Sequence, residues 1–379
     1  MNPSFLVVDD SSFNRLLLKR RLAELGYGEP EMATNGVEAL EAIGRRRFDV
    51  VLLDLEMPEL DGIGVLERLR GTRDAPPVIV ISAQTEMSGV IRCIELGAED
   101  YLPKSFDPPL LRARLQAVLE KKALRDLADQ RLRALEAELE SARRAQLSIV
   151  PRDFVALERP GFAVHAHMEP AREVGGDLYD LLSIGADHML FVVADVAGKG
   201  APAGLTMARS FGLIRAAART SPGVPDPAVL LALANDDLAA DNEDMTFVTA
   251  ALGVVDRRNG KGRICVAGHE APLRLTAGGA VALAGYNVQP ALGVIEGFAY
   301  ASQDFAVPEG EGLLLLSDGV TEAQDPEGEL LGKDAVVASL GGTVAPDLAI
   351  GKLLSAIATH ARGAPAADDV TILAFSRSS

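Results

Sequence analysis

The sequence predicts a multidomain protein with an N-terminal α/β unit built on a five-stranded parallel sheet, a long helical linker and a C-terminal α+β unit. Three observations carry that expectation. Up to about residue 120, short apolar runs alternate with amphipathic stretches, the pattern of a parallel sheet with helices on both faces. From Leu111 to Ile149 there is no glycine or proline, and Leu, Ala, Glu and Arg dominate. From Pro151 onward, spaced apolar runs are bounded by Gly, Asp and Asn, as hairpin-connected strands are. The length of 379 residues agrees, since about 100–200 residues per domain gives two or three.

In the first unit FLVV, DVVLLD and PVIVIS read as buried strands, and AEDYLP as a shorter fifth one. The amphipathic stretches Asn14–Leu25, Gly36–Ile43 and Gly64–Leu69 read as helices between them. In the linker, Leu124, Ala128, Leu132, Leu135, Leu139 and Ala142 follow spacings of 4, 4, 3, 4 and 3. That is a heptad seam with one stutter, so residues 121–150 are expected to form a coiled coil with a second copy. The segment from Leu111 to Leu147 is locally basic, nine Lys and Arg against six Asp and Glu, and Pro151 is expected to end the helix. In the last unit, residues 151–379, MLFVVADV, TFVTAALGVVD, GRICVAG, LLLLSD and VTILAF read as strands. Helical stretches are expected around Pro202–Arg219 and Pro227–Leu238.

Composition removes several functional classes. The net charge of −17 argues against non-specific attraction to nucleic acid or anionic membrane. It suits divalent cations or basic partner surfaces. Cys93 and Cys265 stand far apart without a CxxC, so no disulfide framework is expected. No apolar run approaches the roughly 18 residues of a membrane span. The start, MNPSFLVVDD, meets two acids before a signal-peptide core could form. A soluble, cytoplasmic protein is the expectation.

Function in a doubly wound sheet sits at the carboxyl ends of the strands. Asp9 and Asp10 follow FLVV, Asp54 follows DVVLL, Ser82 follows PVIVI and Lys104 follows DYLP. Three carboxylates in one crevice repel each other unless a cation joins them, and hard oxygen ligands suit Mg²⁺. A lysine and a hydroxyl beside that cation would bind an incoming phosphoryl group. Each residue alone could be a turn or cap residue; five at successive strand ends are hard to explain that way. With the motifs VVDD, LLDLEMPELDG, VISA and GAEDYLPK, residues 1–120 resemble the response-regulator receiver domain, a flavodoxin-like fold. The resemblance implies that Asp54 is the phosphoacceptor, served by a sensor histidine kinase. It makes Asp10 a direct Mg²⁺ ligand together with Asp54 and the Glu56 carbonyl, with Asp9 acting through water. Ser82 and Lys104 would contact the phosphoryl group, and Tyr101 would be the aromatic switch. Ser105 stands where the family often has a cis-joined proline. A cis bond before serine would cost about 2.5–4 kcal/mol, which leaves that loop's geometry open.

A second acidic set follows a different spacing. Asp177 lies in AREVGGDLYD, Asp195 in VVADVAGKG, Asp318 in LLLLSDGVTEA, and Asp368 with Asp369 in AADDVTI. Acids at strand ends can converge on one rim of a sheet, and the neighbouring glycines let backbone carbonyls and water approach. Oxygen ligands alone predict Mg²⁺ or Mn²⁺ rather than Zn²⁺. Two such ions about 3.5–4 Å apart can clamp an in-line phosphoryl transfer. Jointly the motifs, with ARRAQLSIVP, DNEDMTFVTAALGVVD and AGHEAPL, resemble the SpoIIE/RsbU branch of the PPM metal-dependent Ser/Thr phosphatases over residues 140–375. That family's fold is a β-sandwich flanked by helices. By the resemblance Asp195 bridges two Mn²⁺ or Mg²⁺ ions, with the Val196 carbonyl, Asp318 and Asp368 as further ligands. Asp177 would hold water or a further ion, and Arg172 would bind phosphate. Asp369 is counted with the metal acids and, like Asp180, as a support behind them. Distant eukaryotic members carry a His shortly after the bridging acid; Ala197 and Gly198 stand there, and the general acid is unassigned.

Other readings fit less of the chain. GGDLYD resembles the GGDEF signature of diguanylate cyclases, but Leu178–Tyr179 replace Glu-Phe, and a cyclase leaves SDG and DDVT without a role. A cysteine phosphatase needs Arg six residues after its Cys; Glu99 and Ala271 stand there. His165 and His167 share one expected strand face and could pair on zinc, whereas His269 is expected to shape its loop. Asp236, Asp237, Asp241, Glu243 and Asp244 read as a solvated helix end. The two resemblances together imply a response regulator whose phosphorylation controls a protein phosphatase. The family's substrate is commonly a phosphorylated STAS-domain anti-sigma-factor antagonist, and the linker implies a homodimer. The alternative is a non-catalytic adaptor with the same two domains.

Overall fold

The computed structural model describes residues 2–378 except 73, 84–86, 173, 241, 243, 244, 286 and 288. Asp241, Glu243 and Asp244 of the acidic run therefore lie outside the described residues. The chain forms two compact units that divide between Leu135 and Glu136.

The first unit alternates β1 (Phe5–Val8), α1 (Ser12–Glu24), β2 (Glu31–Ala33), α2 (Gly36–Arg45), β3 (Val50–Leu53), α3 (Gly62–Leu69), β4 (Val78–Ser82), α4 (Met87–Glu95), β5 (Asp100–Pro103) and α5 (Pro108–Leu147). The sheet order is β2-β1-β3-β4-β5, and every neighbouring pair is parallel. Alternate residues of a strand face opposite ways, so two cores form. Leu6, Val8, Val51, Leu53 and Val80 pack with α2 and α3, while Phe5, Val7, Leu52, Ile79 and Ile81 pack with α1 and the start of α5. The expected five-stranded parallel sheet is present. Strand β2 escaped the sequence reading because it is three residues at an edge, Glu-Met-Ala, with no apolar run.

Helix α5 is 40 residues long. Its first turns bury Leu111, Leu115 and Val118, while Leu124, Leu127, Leu132 and Leu135 stay exposed. It ends at Leu147, ahead of Pro151, where Ser148 N–H closes onto the Arg144 carbonyl at 3.1 Å.

The second unit is a sandwich of two antiparallel five-stranded sheets. One has the order β13-β10-β9-β8-β7, from Gln303–Ala306, Lys261–Ala267, Val248–Asp256, His188–Val196 and Leu178–Ile184. The other has the order β12-β11-β14-β15-β6, from Gly279–Ala282, Leu273–Thr276, Gly312–Leu316, Val370–Arg377 and Phe162–Glu169. Their inner faces meet at Phe191 and Phe375, with ring centroids 5.0 Å apart. Helices α6 (Ala201–Thr220) and α7 (Pro227–Ala239) cover the first sheet. Helices α9 (Gly332–Leu340) and α10 (Pro346–Ala361) cover the second, and α8 (Asp318–Thr321) is one turn at the end of β14. Helices α6 and α7 lie where the sequence placed them. Helix α10 was not read, since its buried Ala349, Ile350 and Leu353 make a narrow stripe in an Ala-rich segment.

Candidate metal centres

At the carboxyl ends of β1, β3 and β5 the first acidic set comes together. One oxygen each from Asp9, Asp10 and Asp54 lie within 4.8 Å of one another. Among the described residues no other three acids meet so closely. Asp9 and Asp54 are buried, and Asp10 is exposed. Lys104 Nζ donates to Asp54 Oδ2 at 2.6 Å and lies 3.1 Å from Asp9 Oδ2. Burial pushes the Asp54 carboxyl above its ordinary value, with Lys104 opposing and Asp9 adding to the shift. Burial alone would lower Lys104, but its bonds to Asp54 and Asp9 outweigh that and hold it above the usual lysine value. Ser82 is buried at the end of β4, and its carbonyl accepts from Lys104 N–H at 2.9 Å and the Tyr101 hydroxyl at 3.4 Å. Glu56 is exposed two residues beyond Asp54. No peptide bond among the described residues is cis, the bond before Ser105 included.

Two residues that the sequence reading passed over hold this set. Asn14 Nδ2 donates to both Asp9 oxygens at 3.1 Å, and Arg15 bonds the Asp9 and Asp10 carbonyls at 2.7 and 2.9 Å. Both lie in the first turn of α1, where side chains reach back toward the preceding loop.

In the second unit Asp177 precedes β7, Asp195 is the penultimate residue of β8, Asp318 begins α8 just after β14, and Asp368 and Asp369 precede β15. Asp177 is pushed well above the ordinary carboxylate range by burial and by Asp195. Asp195 rises to about 6 through burial, then Asp318 and Asp368. Asp318 is raised by burial, with Glu322 and Asp368 adding to it. Asp318 and Asp368 thus both repel Asp195, while a hydrogen bond from Asp177 opposes them. Asp177 Oδ2 is buried without a hydrogen-bond partner among the described residues. An orphaned, buried acid oxygen beside other acids fits a divalent cation, as does an oxygen-only donor set. Gly176 adds room: a Cβ there would stand 2.8 Å from the Val196 carbonyl oxygen.

The remaining acids do other things. Asp369 accepts from the N–H groups of Ala171, Gly176 and Asp177 at 2.8, 2.6 and 3.3 Å, so its carboxylate ties down the loop that carries Asp177. Asp180 is buried in a two-point pair with Arg215, at 3.0 and 2.6 Å. Asp368 pairs with Lys199 at 2.9 Å, a cation inside the quoted VADVAGKG run that the sequence reading did not single out. Arg172 is exposed and has no ion pair among the described residues. His269 shares a 2.8 Å hydrogen bond with Thr249 and is driven down to about 4 by burial. His165 and His167 lie two apart on β6. Gln146, at the end of α5, is buried against Gly175.

Residues 185–378 match the family model described as Stage II sporulation protein E (SpoIIE), and residues 5–116 match the response regulator receiver domain. The first match spans just over half of the chain, which belongs to the SpoIIE family and carries an N-terminal receiver domain. Response regulator MprA of Mycobacterium tuberculosis is 42% identical over 129 residues, 34% of this chain and 56% of that protein. The chain thus spans about half the length of the curated relatives it matches. The SiaA-PP2C domain of Pseudomonas aeruginosa shares the fold of the second unit. It has a TM-score of 0.56 and 24% identity, covering 65% of this chain and 98% of that one. A receiver domain is therefore fused to a SpoIIE-type phosphatase domain. Among the described residues no helix is long and apolar enough to cross a membrane.

Proposed function

We propose that this protein is a cytoplasmic two-component response regulator in which phosphorylation of Asp54 by a sensor histidine kinase controls a protein serine/threonine phosphatase. Its parts are a receiver over residues 1–120, a coiled-coil linker over 121–150 and a phosphatase over 151–379. In the receiver, Asp10, Asp54 and the Glu56 carbonyl hold Mg²⁺, with Asp9 behind them. The observation that carries this half is Lys104, which binds Asp54 and Asp9 at once and would take an incoming phosphoryl oxygen. Ser82 offers a hydroxyl to the same group, and Tyr101 reorients when Asp54 is modified.

In the phosphatase, Asp177, Asp195, the Val196 carbonyl, Asp318 and Asp368 would hold two Mn²⁺ or Mg²⁺ ions. When bound, the metals supply Lewis acidity and a nucleophile at neutral pH. The chain's own residues do the rest. Asp369 fixes the loop before β7, and the exposed Arg172 meets the substrate phosphate. The carrying observation is Asp177 Oδ2, an acid oxygen buried without a described hydrogen-bond partner beside Asp195, which a cation would satisfy. The substrate proposed is phosphoserine or phosphothreonine on a STAS-domain anti-sigma-factor antagonist, acted on by a homodimer joined through α5. A serine-phosphorylated STAS-domain protein should lose phosphate to Mn²⁺-loaded wild type and keep it with Asp318→Asn. No release from either, with Asp54 phosphorylated or bare, would leave the adaptor reading in its place, and equal release would remove Asp318 from the site.

A further inference from the structure

The segment Gly175–Gly176–Asp177 runs between β6 and β7 without regular structure, so its backbone polar groups need partners from elsewhere. Two side chains provide them. Gln146 Oε1 accepts from Gly175 N–H at 3.0 Å, and Gln146 Nε2 donates to the Gly175 carbonyl at 2.6 Å. Asp369 takes the next two N–H groups, of Gly176 and Asp177. Gln146 is buried. Gly204 of α6 closes over the pair: a Cβ there would stand 2.4 Å from Val174 and 3.6 Å from both Gln146 Nε2 and the Gly175 oxygen. Asp369 adjoins a sheet strand. Gln146 belongs instead to the last turn of a 40-residue helix whose first turns pack in the receiver core.

We propose that Gln146 is a positioning residue for Asp177, and that the last turn of α5 acts on the phosphatase metal site through it. This rests on the reading of Asp177 and Asp195 as metal acids. If the helix end shifts or turns and the strap stays, the N–H and carbonyl of Gly175 lose their only described partners while buried under α6. The strap therefore follows the helix, and Asp177 moves with it. Metal affinity changes although no group that touches metal or substrate has been altered, as outer partners of ligands commonly do.

The test uses the full chain with Mn²⁺ as the probe, counting free ion by electron paramagnetic resonance. The sites lost in Asp195→Asn define the phosphatase class. Gln146→Met, which keeps the volume, and Gln146→Glu, which sets a carboxylate against the Gly175 carbonyl, should each weaken that class about tenfold. Turnover of p-nitrophenyl phosphate should largely recover at saturating Mn²⁺, because Gln146 touches neither metal nor substrate. Unchanged Mn²⁺ affinity in folded variants, or turnover that stays low at saturation, overturns the proposal. If Asp195→Asn binds Mn²⁺ like wild type, the metal assignment fails and takes the proposal with it. One measurement needs no variant: in wild type, Mn²⁺ should slow amide exchange in peptides covering residues 144–147 and 174–177 together. Protection of the second alone also overturns it.

Discussion

Single side chains in this protein show how burial and neighbouring charge set chemistry. His269 is a useful case because its shift opposes that of the acids around it. Burial holds its imidazole at about 4, against about 6.5 in an unfolded chain. The residue as a whole is only partly buried, but its Nε2 is shut away from solvent. Above pH 6.5 the ring is neutral in both states and adds no pH dependence. Between about 6.5 and 4 the unfolded chain takes a proton that the folded chain refuses, so stability falls as pH drops through that window. The raised pKa of Asp195 acts in the opposite sense over nearly the same range, so the histidine is visible only as a difference. In urea unfolding without metal, His269→Gln should gain on wild type by on the order of 2 kcal/mol between pH 7 and pH 4.5. A constant gap across that range would contradict the buried neutral ring.

At the scale of elements, close approach decides which substitutions a helix tolerates. Gly319 lies in the one-turn α8, where a Cβ would come within 2.0 Å of the Asp369 carbonyl oxygen. Gly319→Ala must push the Asp368–Asp369 loop away and should cost about 2 kcal/mol or more, with weaker Mn²⁺ binding. Gly351, in the middle of α10, has nothing within 4 Å of where a Cβ would be. There the helix gains from alanine, and Gly351→Ala should stabilise by about 0.5–1 kcal/mol. Thermal melting of the two variants checks both signs. Helix α5 makes a different prediction. Leu124, Leu132 and Leu135 are 63%, 50% and 52% exposed on it, which fits a seam awaiting a second copy. Light scattering at micromolar concentration should find a dimer in wild type and a monomer in the double variant Leu132→Lys, Leu135→Lys. A wild-type monomer would dispose of the coiled coil.

For the whole molecule the question is whether the two domains share one free-energy ledger. Acetyl phosphate should label wild type and not Asp54→Asn. In wild type it should change the phosphatase rate by about fivefold or more, in whichever direction the modified receiver favours. A rate that ignores acetyl phosphate while Asp54 is labelled would mean that the domains are joined but not coupled. The large negative charge gains content at this scale. A few of the acids are gathered at the strand-end cluster of Asp9, Asp10 and Asp54, others stand at or beside strand ends in the second unit, and the segment from Leu111 to Leu147 is locally basic.

Much of this was legible because it is local. An aspartate directly after an apolar run sits at a strand end whatever the rest of the chain does, and that placed Asp9, Asp54, Asp195 and Asp318 at once. Strand–helix alternation likewise specified the parallel sheet. Elements without a strong local pattern, such as β2 and α10, were invisible. The residues that hold the acids escaped for a related reason. Asn14, Arg15, Lys199 and Gln146 are ordinary polar side chains whose importance lies in what they reach. Gln146 meets Gly175 across 29 positions, and Asp369 meets Ala171 across 198. Sequence alone determined which acids stand at strand ends, because residue type and strand position are properties of short segments. Tertiary structure alone decided which side chains hold them in place. A hydrogen bond depends on distances of a few tenths of an ångström that only packing sets.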